Sequence, residues 1–174
     1  MTVPVWFAKL KSLPRIHLKG RFFRMVRAED ADEILSTGPS FAYGGRYNKR
    51  GEFGALYLSE NSQTCNVEKL RQVGGRIELL PPQSMGIIEV AIKGAVDLTA
   101  EKNLKALGIS EASLTDAVNR VLPQAVGEAA RNCGIRALLA QSAVALGKNL
   151  VIFEESLAHD GCHVRVVKIE KLKV

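Results

Sequence analysis

The chain has little cysteine, no long apolar run and no acidic residue near its start, and each absence narrows the reading. Cys65, Cys133 and Cys162 are odd in number and widely scattered, which argues against a disulfide framework and for buried thiols in a reducing compartment. No apolar stretch approaches the ~20 residues a membrane helix needs. The run Val3–Ala8 ends at Lys9 and is too short for the core of a secretory signal. These absences predict a cytoplasmic protein that does not engage a membrane. Residues 1–27 hold no acid but seven cations, Lys9, Lys11, Arg15, Lys19, Arg21, Arg24 and Arg27. The whole chain has 24 Lys and Arg against 18 Asp and Glu, so the rest of it is almost neutral. The basicity belongs to one segment, as a solvated arm for most of these residues or as a local anion or acidic-partner surface.

What is present fits one globular domain spanning residues 1–174, which at 174 residues buries roughly two-thirds of its unfolded surface. Phe22–Val26 reads as a strand, and Phe22 and Phe23 tie the end of the basic segment into the fold. Ala28–Leu35 reads as a short helix stopped by Gly38 and Pro39. Ala55–Ser59 is a second strand. Asn61 caps a helix reaching about Val73, where Gly74 and Gly75 end it. After the turn at Pro81 and Pro82, Gly86–Ile92 is a strand. Residues from Ser110 to Val121 are expected to form a helix with Leu114, Val118 and Val121 on one face. A further helix opens at Pro123 and ends at Gly134. Ala137–Ala140, Asn149–Phe153 and Val164–Ile169 are the closing strands. Without regular βαβ alternation, the order favours an α+β fold.

The stretch Tyr43–Gly54 carries four glycines and three cations. Its glycines let backbone amides approach a ligand, and Arg46, Lys49 and Arg50 suit phosphate oxygens. It is neither a Walker A loop nor a dinucleotide fingerprint. Arg46 among Gly45, Tyr43, Tyr47 and Asn48 makes a ligand loop the better reading. On spacing alone, Glu68, Arg24 and Ser142 read as a helix-face residue, a strand-end charge and a turn residue. His159, Cys162 and His163 lack a fourth ligand and the usual paired spacing, so no metal site is expected. No Ser-His-Asp arrangement is discernible.

Taken in order, these pieces resemble the RES domain family, named for its Arg, Glu and Ser. The resemblance runs from about Arg21 to Phe153, leaving the basic residues 1–20 outside it. It rests on Phe23-Arg24, Gly44-Gly-Arg-Tyr-Asn48 with Gly51, Ala55–Ser59, Glu68, Gly134–Ser142 and Asn149–Phe153. Tyr47 stands where the family often has Trp, and Cys65 where a small Ala is usual. The name-giving arginine is Arg24 or Arg46.

The resemblance implies an ADP-ribosyltransferase-like fold, a split β-sheet core with flanking helices and a cleft for NAD⁺. It implies a toxin held in check by an antitoxin with an Xre-like helix-turn-helix, as a toxin–antitoxin hetero-oligomer or with a homodimeric toxin. It also implies action on NAD⁺ as substrate, with no cofactor and no direct nucleic-acid binding. Arg24, Glu68 and Ser142 would then be catalytic, and Gly45, Arg46, Tyr47, Asn48 and Tyr57 would bind substrate. Breaking the nicotinamide–ribose bond develops positive charge on the ribose, which a carboxylate such as Glu68 stabilises. Arginine grips pyrophosphate with its planar fork, and Tyr57 or Tyr47 can stack on nicotinamide. Ser142 can bond a phosphate or ribose group. The acceptor would be water or phosphate, or a protein side chain in the case of ADP-ribosyl transfer. From other classes, an RNA-cleaving toxin would rely on His17, His159 or His163, and an inactive binding module would keep the motifs without chemistry.

Overall fold

The computed structural model describes residues 4–172. Residues 1–3, including Val3 of the short apolar run, and residues 173–174 lie outside the described residues. The chain runs α1 (Val5–Ser12), β1 (Ile16–Arg27), α2 (Gly38–Tyr43), β2 (Ala55–Ser59), α3 (Ser62–Gln72), β3 (Gln83–Asp97), α4 (Glu101–Leu107), α5 (Glu111–Thr115), α6 (Val121–Asn132), β4 (Ala137–Gln141), β5 (Lys148–Phe153) and β6 (Cys162–Leu172). This is the expected α+β fold, and its sheet is split. β1, β3 and β6 form one antiparallel layer, with β3 in the middle. β2, β5 and β4 form a second antiparallel layer, with β5 in the middle. Two seams join them. One is the single pair Phe23↔Ser59 between β1 and β2. The other is a short parallel stretch pairing Ala95–Asp97 with Ala137–Leu139.

Strand alternation assigns each face its core. Leu56 and Leu58 of β2 and Leu150 and Ile152 of β5 meet Phe22, Ile88, Val90 and Ile92 of the other layer. The neighbouring positions, Ala55, Val151 and Phe153, point the opposite way. They pack with Leu10 of α1, Leu104 and Leu107 of α4, Leu114 of α5, and Val126, Ala129 and Ala130 of α6. The helices cover only part of that second face. Where they stop, Tyr57 and Val151 are left lining an open cleft.

Several elements differ from the sequence expectation. The basic N-terminal segment is built into the fold rather than trailing as an arm. α1 packs on α4 and α6, burying Leu10 and Leu13. β1 and β3 are longer than their apolar runs because each supplies the other's backbone hydrogen bonds from Ile16↔Ala95 to Arg27↔Gln83. α4 was not anticipated. The helix expected over Ser110–Val121 shrinks to α5, and Val118 and Val121 are 89% and 75% exposed. The Asp116 carboxylate accepts the amides of Val118 and Asn119, and the Asn119 side chain accepts that of Val121. These local bonds offer the backbone an alternative to the helix. Of the three thiols, Cys65 and Cys162 are buried and Cys133 is half-buried.

Candidate active site

α3 is built to aim a carboxylate. Asn61 caps it by accepting the Thr64 amide at 2.8 Å. One turn later Cys65 is buried against Met25 and Met85, which fixes the rotation of the helix. The thiol's pKa is raised, first by burial. Positions three and four residues apart share a helix face, so Glu68, Arg71 and Gln72 are presented together. All three line a cleft of about 520 Å³ with Arg24 of β1, Tyr57 of β2, Asn149 of β5, the 44–47 loop, and Arg120 before α6. That volume is in the range of small-molecule sites.

Glu68 is held by its Oε1 alone. Ser142 Oγ donates to it at 2.8 Å and Asn149 Nδ2 at 2.6 Å. Among the described residues no hydrogen bond reaches Oε2. Facing this one carboxylate are four arginines, and among the described residues none of the four forms an ion pair. Arg24 Nη1 donates to the carbonyls of Ile34 and Ser36 at 2.8 and 2.9 Å. Burial lowers its pKa to about 10, which still leaves it charged at neutral pH. Arg46 Nη1 donates to the carbonyls of Leu114 and Asp116 at 3.1 and 2.9 Å. Its pKa is also lowered, by burial first and then by Arg120. These backbone anchors spend one nitrogen of each fork and leave the remaining donors for an anion.

A second lobe of about 740 Å³ adjoins the first, sharing Arg24, Tyr57, Glu68 and Gln72 with it. Tyr43, 83% exposed, stands at its wall. Lys69 also faces this lobe, and its pKa is lowered by burial and by Arg24. Glu68 therefore sits at the junction of two spaces.

The glycine-rich loop shapes the cleft more than its amides grip anything. Gly45 N donates to Asn48 O at 2.9 Å, and Tyr47 N to the Tyr57 hydroxyl at 2.9 Å. At Gly45 a Cβ would lie 2.6 Å from both Asn48 Oδ1 and Tyr57 Cζ, so only glycine lets the loop come this close. Gln124 Nε2 donates to Gly45 O at 3.0 Å and ties the loop to α6.

Asn48, expected against substrate, is corrected to a buried hub. It is 0% exposed, its amide donates to Ser40 O and Phe53 O, and its oxygen accepts from Tyr57. Tyr47 lines the cleft with its loop. Its side chain is 2% exposed within the helix-covered core, so its ring has no access to a stacking partner. Ser142 is 5% exposed and is spent on Glu68. Lys49 pairs instead with Glu128 at 3.0 Å, and Arg50 is not in the cleft lining. Arg24, Gly45, Arg46, Tyr57 and Glu68 do converge on the cleft. Sequence reasoning missed Arg71, Arg120 and Asn149. The spacing of Arg71 from Glu68 was a usable signal; the other two had none beyond the RES resemblance at Asn149. The histidines His17, His159 and His163 all lie outside the cleft lining.

A split α+β sheet with an arginine-rich cleft built around one carboxylate is the class this fold and site define. The chain belongs to the RES domain family, which matches residues 21–171. The match runs past Phe153 through β6, which completes the layer around β3. Among solved structures, the chain is similar to one in the crystal structure of the M. tuberculosis MbcT-MbcA toxin–antitoxin complex. The TM-score is 0.81 at 24% identity, covering 96% of this chain and 91% of that one. At that identity the likeness is one of fold. No curated protein matches the chain. Among the described residues no helix is long and apolar enough to cross a membrane.

Proposed function

We propose that this RES domain is an enzyme that cleaves NAD⁺ between nicotinamide and ribose, and that it acts as the toxin of a toxin–antitoxin pair. The observation that carries the reading is one carboxylate oxygen, Glu68 Oε2, with no hydrogen-bond partner among the described residues, set in a single cleft with four arginines that form no ion pair among those residues. A dinucleotide needs both features. Its pyrophosphate takes the arginine forks, and its ribose develops positive charge as the glycosidic bond breaks. In the reaction the C–N bond gives its electron pair to nicotinamide, which leaves neutral. A water molecule then forms the new bond at the ribose carbon and releases a proton. Glu68 stabilises the oxocarbenium-like state more than the ground state, which is where a charge contributes to rate. Tyr57, on the cleft wall, is the aromatic surface available for nicotinamide.

A second reading, ADP-ribosyl transfer to a protein, is favoured by the open lobe beside Glu68, which has room for an acceptor larger than water. An RNA-cleaving role gains nothing from the cleft, whose lining holds no histidine. The toxin role is supported by family membership and by the fold shared with a chain of a toxin–antitoxin complex. An antitoxin of Xre-like helix-turn-helix type is the partner we propose, acting by covering the cleft.

The deciding experiment incubates purified protein with NAD⁺ and a cell extract, following nicotinamide release and label transfer together. Glu68→Gln keeps an acceptor for Ser142 and Asn149 but loses the charge. It is expected to lower turnover by roughly 10²-fold or more with the fold intact. Near-normal NAD⁺ consumption by Glu68→Gln would sink the assignment. In cells, wild type should arrest growth and lower NAD⁺ while Glu68→Gln does neither; equal harmlessness of two soluble proteins would leave an inactive binding module as the better account.

A further inference from the structure

Glu68 sits on a half-exposed face of α3, and a free glutamate there would sample many rotamers. Its two donors come from different parts of the second sheet layer. Ser142 follows β4 and Asn149 lies on β5, and both reach the same oxygen. The orientation of the Asn149 amide is fixed by chemistry. An ionised carboxylate only accepts, so Nδ2 faces Glu68 and Oδ1 must face away. There it receives Ser59 Oγ at 3.0 Å. Asn149 pairs in register with Ser59 on one side and Ala140 on the other. Ser59 is buried at 3% exposure and is itself the β2 partner of Phe23, the one pair joining β2 to β1. The relay Ser59–Asn149–Glu68 is thus anchored at the seam between the two sheet layers.

Resting on the reading of Glu68 as the catalytic carboxylate, we infer that Asn149 is a positioning residue, oriented by Ser59, that holds Glu68 by Oε1 and turns Oε2 toward the reacting ribose. Ser142 and Asn149 divide the work: each supplies one hydrogen bond, and neither touches the second oxygen. Ser59 also bonds the Cys65 thiol of α3, and it reaches the Glu68 carboxylate through Asn149. It serves to keep the amide from flipping, since a flipped Asn149 would set an oxygen against the carboxylate.

The test is a double-mutant cycle on the full chain, with NAD⁺ consumption as one readout and the ¹³C signal of the Glu68 carboxyl as the other. Asn149→Ala is expected to lower kcat on the order of 10- to 100-fold, the size of one hydrogen bond to a charged group, with little change in KM. Ser59→Ala should lower kcat by a smaller factor in the wild type and by less still in the Asn149→Ala background, where only its bond to Cys65 remains to be lost. Ser59→Ala removes a single buried oxygen, and its kinetics and NMR stand even if Asn149→Ala fails to fold. The Glu68 signal should move in Ser59→Ala. Wild-type kcat in Asn149→Ala, equal losses from Ser59→Ala in both backgrounds, or an unmoved Glu68 signal would each overturn the positioning role. An active Glu68→Gln overturns the catalytic reading instead, and the NMR arm still reports whether Ser59 and Asn149 hold the side chain.

Discussion

The Tyr57 hydroxyl donates to Asn48 Oδ1 at 2.8 Å and accepts the Tyr47 amide at 2.9 Å, so one side chain on β2 holds two consecutive residues of the cleft's glycine-rich wall. Burial raises its pKa, which keeps the proton in place through the whole physiological range. Tyr57→Phe strands a buried amide and a buried carbonyl oxygen. It is expected to cost about 1–3 kcal/mol of stability and to raise KM for NAD⁺ as the loop loosens. Urea denaturation together with steady-state kinetics checks this; unchanged values of both would mean that the loop is held by Asn48 and Gln124 alone.

Gly127 of α6 lies directly under the same loop. A Cβ there would collide with the Tyr47 carbonyl oxygen, and its third-nearest contact, Tyr47 Cβ, is only 3.0 Å away. Alanine is the better helix former by about 1 kcal/mol, so propensity and packing oppose each other. Overpacking against rigid backbone typically costs about 1–3 kcal/mol, and packing should win. Gly127→Ala is expected to destabilise the protein and weaken NAD⁺ binding. A rise in Tm with normal KM would show that the loop yields without consequence.

The buried Tyr47 hydroxyl has no hydrogen-bond partner among the described residues, and burial pushes its pKa up to about 12. Removing it should therefore be harmless at neutral pH. Tyr47→Phe is expected to match the wild type or gain stability, up to about 1–3 kcal/mol. The pH dependence has a definite sign. Between the unfolded value of about 10 and the folded value of about 12, the unfolded chain has lost the proton that the native state keeps. Unfolding thus releases a proton in that window, and wild-type stability falls as pH rises. The difference between wild type and Tyr47→Phe should be flat below pH 10 and should widen in the variant's favour above it. A pH-independent difference contradicts the burial argument.

Arg46 links two segments, since its guanidinium binds the Leu114 and Asp116 carbonyls while lining the cleft. Lysine supplies a point charge and cannot replace a fork that bonds backbone and anion together. Arg46→Lys is expected to raise KM for NAD⁺ about tenfold or more with a smaller change in kcat, the pattern of lost ground-state binding. Normal binding would make the glycine-rich loop structural throughout.

Elements written by local chemistry were readable from the residues in order. Asn61 and Gly74 bracket α3 because capping and termination act within a few residues. The strands around Phe22, Tyr57 and Ile152 follow from alternation and β-branching. The helix expected over Ser110–Val121 was not readable in the same way. Its apolar spacing suits a helix, yet of Leu114, Val118 and Val121 only Leu114 is buried: Asp116 and Asn119 bind nearby amides, and Arg46, distant in sequence, takes the carbonyls of Leu114 and Asp116.

The cleft divides along the same line. Arg46 was legible from its glycine-rich loop, whereas Arg24, Tyr57 and Glu68 were marked only through the ordered set of motifs that resembles the RES family, because a single strand-end arginine or helical glutamate reads as an ordinary surface charge. Neighbouring motif residues were not distinguishable from these by type, yet the fold buries Asn48 and Tyr47 and spends Ser142 on Glu68. Burial is a property of what packs on top, and here α6 and the 44–54 loop decide it. Arg120 and Asn149 became site residues only when β5 and the segment before α6 were brought beside α3. By itself the sequence determined the local elements, the charge and the chemical vocabulary of the site. Which oxygen of Glu68 is held, which arginines share its space and which polar groups are buried were decided by the tertiary structure, because contacts between residues 74 and 81 positions apart, Ser142–Glu68 and Asn149–Glu68, depend on how the sheet layers join and leave no mark in local spacing.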